Sequence, residues 1–135
     1  MIFLIDHNIE GHAVLLLGAI ASQGWLADIS IKFATFTELS LPIDSSDRAV
    51  WRLAQEKQMT LLTANRSMEG EDSLEQVIRE ENTAVSLPVL TVGNADRLLN
   101  DVEYRDRCAE SLVDVVLSIS IYRGTRQIFI PLTVE

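Results

Sequence analysis

Three short apolar runs punctuate the chain, and each stops abruptly at polar residues. Residues 1–5 end at Asp6-His7-Asn8, residues 59–63 lead into Ala64-Asn65-Arg66, and residues 88–92 end at Gly93-Asn94. Continuous apolar runs of this length predict strands buried on both faces. Between them the spacing changes to that of amphipathic helices. Over residues 9–23, Ile9, Ala13, Leu16, Leu17 and Ile20 share one face, and Gly24 stands where a helix stop belongs. Asn8 is placed to cap this helix. Ser45-Ser46-Asp47 opens a second helix that runs to about residue 57, with a serine cap and an acid in the first turn. Ser73-Leu74-Glu75-Gln76 reads as a capping box for a third helix, which ends near Glu81. Asp96 is placed to cap a short helical turn. Over residues 103–122, Tyr104, Cys108, Leu112, Val115, Val116 and Ile119 fall on one face of a long helix that Gly124 breaks. Residues 29–36 alternate around Lys32 and predict a further strand, and residues 128–130 a last one.

The predicted order is therefore strand and helix in strict alternation, in a single domain over residues 1–135. Such an alternation implies a mostly parallel sheet of about five strands with helices on both faces. In these sheets polar chemistry sits at the carboxyl ends of the strands. The residues that follow the apolar runs are then the ones to watch: Asp6, His7, Asn8, Asn65, Arg66 and Asn94. Asp47 opens a helix and can face the same edge.

Composition narrows the function classes. Apolar residues make up 47% of the chain, enough for a conventional core. Acids outnumber bases 20 to 11, a formal charge of −9, which argues against a broad basic surface that grips nucleic acid by its phosphates. A single cysteine, Cys108, excludes an internal disulfide and fits a reducing, cytoplasmic setting. His7 and His12 are too few for a histidine-rich metal cage. No secretory signal pattern is visible, and the longest apolar run, residues 13–21, is about half of what a membrane span needs. Residues 11–18 lack the Lys-Ser/Thr pair of a phosphate-binding loop.

Hard divalent cations such as Mg²⁺ and Mn²⁺ prefer carboxylate, carbonyl and water oxygens, and a few converging acids hold them. The chain offers Asp6, Asp47 and a third polar position, Asn65, with Glu69, Glu71 and Asp72 close by in sequence. These segments resemble a family. Phe3-Leu4-Ile5-Asp6-His7-Asn8 looks like the Asp-x-Asn opening of short bacterial PIN-like proteins. The helix Ser46-Asp47-Arg48-Ala49-Val50-Trp51-Arg52-Leu53-Ala54 looks like their Ser-Asp-x-x-Ile/Val-x-x-x-Ala segment. Leu61-Leu62-Thr63-Ala64-Asn65-Arg66 looks like their Leu-Leu-Thr-x-Asp-x-Asp segment. The resemblance covers residues 1–92; beyond that only the order of strand and helix matches.

The resemblance implies a three-layer α/β/α sandwich and, in active members, a metal-dependent ribonuclease, often a toxin of a toxin–antitoxin pair. It implies Mg²⁺ or Mn²⁺ as cofactor and Asp6 and Asp47 as metal ligands. Asn65 stands where an acid is usual, and Ser67 where the second acid of that segment belongs. A neutral amide offers a carbonyl oxygen without charge, which weakens the metal site. Glu71 or Asp72 is placed to compensate from the next loop.

Each candidate also has a plain structural reading. Asp47 is an ordinary first-turn acid. Asn65-Arg66 suits a turn, or Arg66 steadies a phosphate. His7 flanks Asp6, where an imidazole transfers protons near neutral pH, yet both histidines read first as structural or solvent-facing. Residues 69–81 form an acidic face. Trp25 and Trp51 read as packing anchors, and Cys108 as a buried inert thiol. Two functions follow. In the first, Asp6, Asp47 and Asn65 form the catalytic centre of a metal-dependent phosphodiesterase acting on RNA, with Asn8, Arg66 and His7 toward the substrate. In the second, the domain is an inactive PIN-like module that binds a protein partner or a second copy of itself. An aspartate-nucleophile hydrolase is disfavoured because Asn8 stands where its second aspartate is common.

Overall fold

A computed structural model describes residues 1–64 and 73–132. Five strands form one sheet: β1 (Ile2–Ile5), β2 (Lys32–Ala34), β3 (Thr60–Thr63), β4 (Val89–Val92) and β5 (Gln127–Ile130). Every pairing is parallel and the order across the sheet is β2-β1-β3-β4-β5. The helices are α1 (Glu10–Ser22), α2 (Asp47–Glu56), α3 (Leu74–Glu81), α4 (Ala95–Asn100), α5 (Val102–Leu117) and α6 (Ile119–Tyr122). The result is the three-layer α/β/α sandwich expected of the alternating pattern, with an all-parallel sheet.

Side chains alternate across a strand, and this sorts the core into two layers. Phe3, Ile5, Leu62, Leu90, Val92, Ile128 and Ile130 pack with α1, α4 and α5. Leu4, Ala34, Leu61 and Val89 pack with α2 and α3. Burying an aliphatic or aromatic side chain of this size stabilises by about 1.5–3 kcal/mol, so β1, β3 and β4 hold the two layers together. Trp51 belongs to the α2/α3 layer, whereas Trp25 lies half-buried in a 3-10 turn, Trp25–Ala27, at the edge of the other. Cys108 is fully buried on α5, and burial pushes its thiol up to about 11. Among the described residues no helix is long and apolar enough to cross a membrane.

Several boundaries differ from the sequence pattern. Asn8 does not cap the first helix. It lies inside a 3-10 turn, His7–Ile9, which Asp6 caps through a contact from the Asn8 amide at 3.4 Å; Ile9 then precedes α1 without a side-chain cap. The 3-10 turn moves the helix start on to Glu10, so Ile9 rather than Asn8 occupies the position that precedes α1. Asn94, rather than Asp96, caps α4 by accepting the Arg97 amide at 3.1 Å, and Asp101 caps α5. The long helix breaks at Ser118, giving α5 and α6. β2 is only three residues long, because Thr35 turns to pair with Glu38 instead of continuing the ladder. Ser73 accepts the Gln76 amide at 3.2 Å, and Ser46 caps α2 in the same way at 3.1 Å.

Candidate functional site

The sheet order reverses at β1. The chain leaves β1 for β2 on one side, then crosses to β3 on the other. A crevice opens at the carboxyl ends of strands where such a reversal occurs. The registered pairs Leu4 with Leu61 and Ile5 with Leu62 place Asp6 one step beyond, beside Thr63. The Asp6 amide continues the ladder to the Leu62 carbonyl at 3.0 Å. Asp6 shares the parity of Leu4, and Thr63 that of Leu61, so both point to the layer of α2 and α3. The Thr63 hydroxyl donates to the Asp6 carboxylate at 2.6 Å. Thr63 is buried, and Asp6 is half-buried.

Asp47 reaches the same cleft from the start of α2. Its carboxylate accepts the Leu74 amide at the start of α3, at 3.0 Å. Asp6, His7, Asn8, Ser45, Asp47 and Thr63 supply the polar lining of this cleft, and Phe36, Ile43, Val50, Leu61 and Leu74 close it. Its volume is about 90 Å³, room for an ion with a few waters and little else. The His7 ring lies 6.0 Å from that of Phe36, and its Nδ1 is 3.4 Å from Glu10.

Of the residues singled out in the sequence, Asp6, Asp47, His7 and Asn8 converge here. Asn65, Arg66, Glu71 and Asp72 lie outside the described residues. Asn94 lies at the end of β4 but its side chain caps α4 rather than lining the cleft. Thr63 is the site residue that sequence reasoning passed over. Its signal was present: a hydroxyl follows Leu61-Leu62 at the carboxyl end of the run, at the parity that faces the second helix layer.

Both carboxylates are oriented by hydrogen-bond donors, the arrangement that fixes ligands around a metal. Mg²⁺ keeps several waters and is commonly held by one or two carboxylates, so the oxygen donors of Asp6 and Asp47 suit it, and Mn²⁺ as well. Among the described residues no group of three or more acidic, histidine or cysteine side chains forms a metal cluster. No family model, curated protein or solved structure matches the chain.

Proposed function

We propose that this protein is a Mg²⁺- or Mn²⁺-dependent phosphodiesterase acting on RNA, of the PIN-like class, in a cytoplasmic setting. The observation that carries the reading is the convergence of Asp6 and Asp47, 41 positions apart in sequence, on one polar cleft at the strand-order reversal. Asp6 and Asp47 would hold the ion. When bound, the ion supplies an activated water and neutralises phosphoryl charge. Thr63 fixes the rotamer of Asp6 through its 2.6 Å hydrogen bond. His7, on the cleft wall, is positioned to exchange a proton with a group bound there. Asn8 offers an amide to substrate from the exposed side, and Asn65 and Arg66 complete the site and steady a phosphate in this reading.

A second reading is an inactive module that binds a protein partner or a second copy. It draws support from the structural work both acids already do, since Asp6 caps the 3-10 turn and Asp47 holds the start of α3. One experiment separates them. Wild type and Asp6→Asn are compared for RNA cleavage in Mn²⁺, with a chelator as control. The phosphodiesterase reading expects chelator-sensitive cleavage that falls at least ~100-fold in the variant, beyond the loss typical of an outer-shell change. Equal residual cleavage in both proteins assigns it to a contaminant and leaves the binding module.

A further inference from the structure

Asp6 and Asn8 line a second cavity as well as the cleft beside Asp47. It lies on the α1 and α4 side of the strand end, is completed by Ile9, His12, Ala64 and Ala95, and measures about 350 Å³. The two volumes suit different occupants. The cleft beside Asp47, about 90 Å³, suits a hydrated ion. The second cavity lies within the range of about 300–1,000 Å³ typical of small organic ligands.

The two histidines also differ. His7 has Glu10 and Phe36 for neighbours. His12 is half-buried against the second cavity, and its imidazole has no hydrogen-bond or ion-pair partner among the described residues. A half-buried imidazole directed at a cavity has N–H and ring nitrogen available for a ligand. The apolar flanks of Ile9, Ala64 and Ala95 suit a flat ring, and Asn8 adds an amide at the rim.

Resting on the phosphodiesterase reading, we propose that this cavity takes one nucleoside of a phosphodiester, with His12 as its hydrogen-bonding contact, while the phosphoryl group lies over Asp6. The site then selects a diester that reaches both sides of Asp6 over a phosphomonoester or a free phosphate. His12 is a substrate-contacting residue in this scheme, not an ion ligand.

The test uses the full chain, isotope-labelled for NMR. Mn²⁺ is added first at low stoichiometry; then, in Mg²⁺, a dinucleoside monophosphate is compared with inorganic phosphate. Mn²⁺ should broaden the Asp6 and Ala64 amides. The dinucleotide should shift the His12 ring and the Ala95 amide, and inorganic phosphate should not. His12→Gln should weaken the dinucleotide about three- to tenfold, the effect of one lost hydrogen bond, and leave the Mn²⁺ broadening unchanged. Ala95→Leu, which fills the cavity, should weaken it too. Normal Mn²⁺ broadening with an unmoved His12 ring, or with wild-type dinucleotide affinity in both variants, overturns the nucleoside cavity and leaves the phosphodiesterase reading standing. Absence of Mn²⁺ broadening at Asp6 and Ala64 overturns both.

Discussion

The carboxylate of Asp47, the first residue of α2, accepts the backbone amide of Leu74, the first residue of α3, at 3.0 Å. One acid thus lines the candidate site and ties together the two helices that cover its face of the sheet. Its two tasks separate by substitution. Asp47→Asn keeps an oxygen for the Leu74 amide and loses the charge; Asp47→Ala loses both. Asp47→Ala should cost about 1 kcal/mol of stability, the usual loss of a helix cap, and Asp47→Asn a few tenths. If Asp47 holds an ion, both should abolish Mn²⁺ binding. Urea unfolding and Mn²⁺ titration of the two variants check this, and equal destabilisation in both would refute the capping role.

Thr63 and Asp6 form the other support of the site. Thr63→Val preserves shape and removes the hydroxyl that donates to Asp6 at 2.6 Å. Stability should fall by about 1 kcal/mol. If Asp6 holds an ion, Mn²⁺ affinity should fall about tenfold as its rotamer loosens, and Thr63→Ser should restore most of it. Calorimetric titration of the three proteins gives the comparison.

Acid should loosen the cover of the site. Arg48 pairs with Glu80 at 2.7 Å and with Glu81, and Arg52 pairs with Glu81 at 2.8 Å, joining α2 to α3. The Arg48 hydrogen bond holds the Glu80 carboxyl below its ordinary value of 4.5, and the Arg52 hydrogen bond does the same for Glu81. A carboxylate with a lowered folded-state pKa stabilises the fold above its unfolded-state value. That contribution is lost as pH falls through the lowered value. The Glu80→Gln, Glu81→Gln double variant should therefore melt below wild type at pH 7, with the gap closing as pH drops below 4.5. Thermal melts across pH 7 to 3 measure the gap. A gap independent of pH would mean that the pairs do not stabilise the fold through charge.

Gly124 provides a test of the turn that returns the chain to β5. It holds φ +82°, and a Cβ there would lie 2.8 Å from the Ala84 carbonyl oxygen. Gly24, at φ +84°, has open space at the same point. Gly24→Ala should cost about 1 kcal/mol for the left-handed backbone alone. Gly124→Ala should cost more, since the clashing atom is backbone and has little room to yield. Denaturant midpoints for the two variants rank them.

The elements of this fold were legible because their signals are local. The run Phe3-Leu4-Ile5, the Ser46 and Ser73 caps and the left-handed stop at Gly24 each act within a few residues. The errors arose where two local donors or acceptors competed. Asp6 caps a 3-10 turn over His7–Ile9, which moves the start of α1 past the position Asn8 was expected to cap, and Asn94 took the cap expected of Asp96. Thr63 escaped notice as a site residue because its hydroxyl matters only once β3 lies beside β1.

By itself, the sequence determined the alternation of strands and helices, the faces they bury and the strand end at which Asp6 stands. A side-chain period of two or 3.6 residues and a cap are properties of neighbouring residues. The tertiary structure alone decided that β3 pairs with β1 on the side away from β2, that Thr63 therefore meets Asp6, and that α2 carries Asp47 to the same cleft. Pairing between strands and the crossing of α2 over the sheet are set by the burial of two whole layers at once, and no single segment encodes that sum.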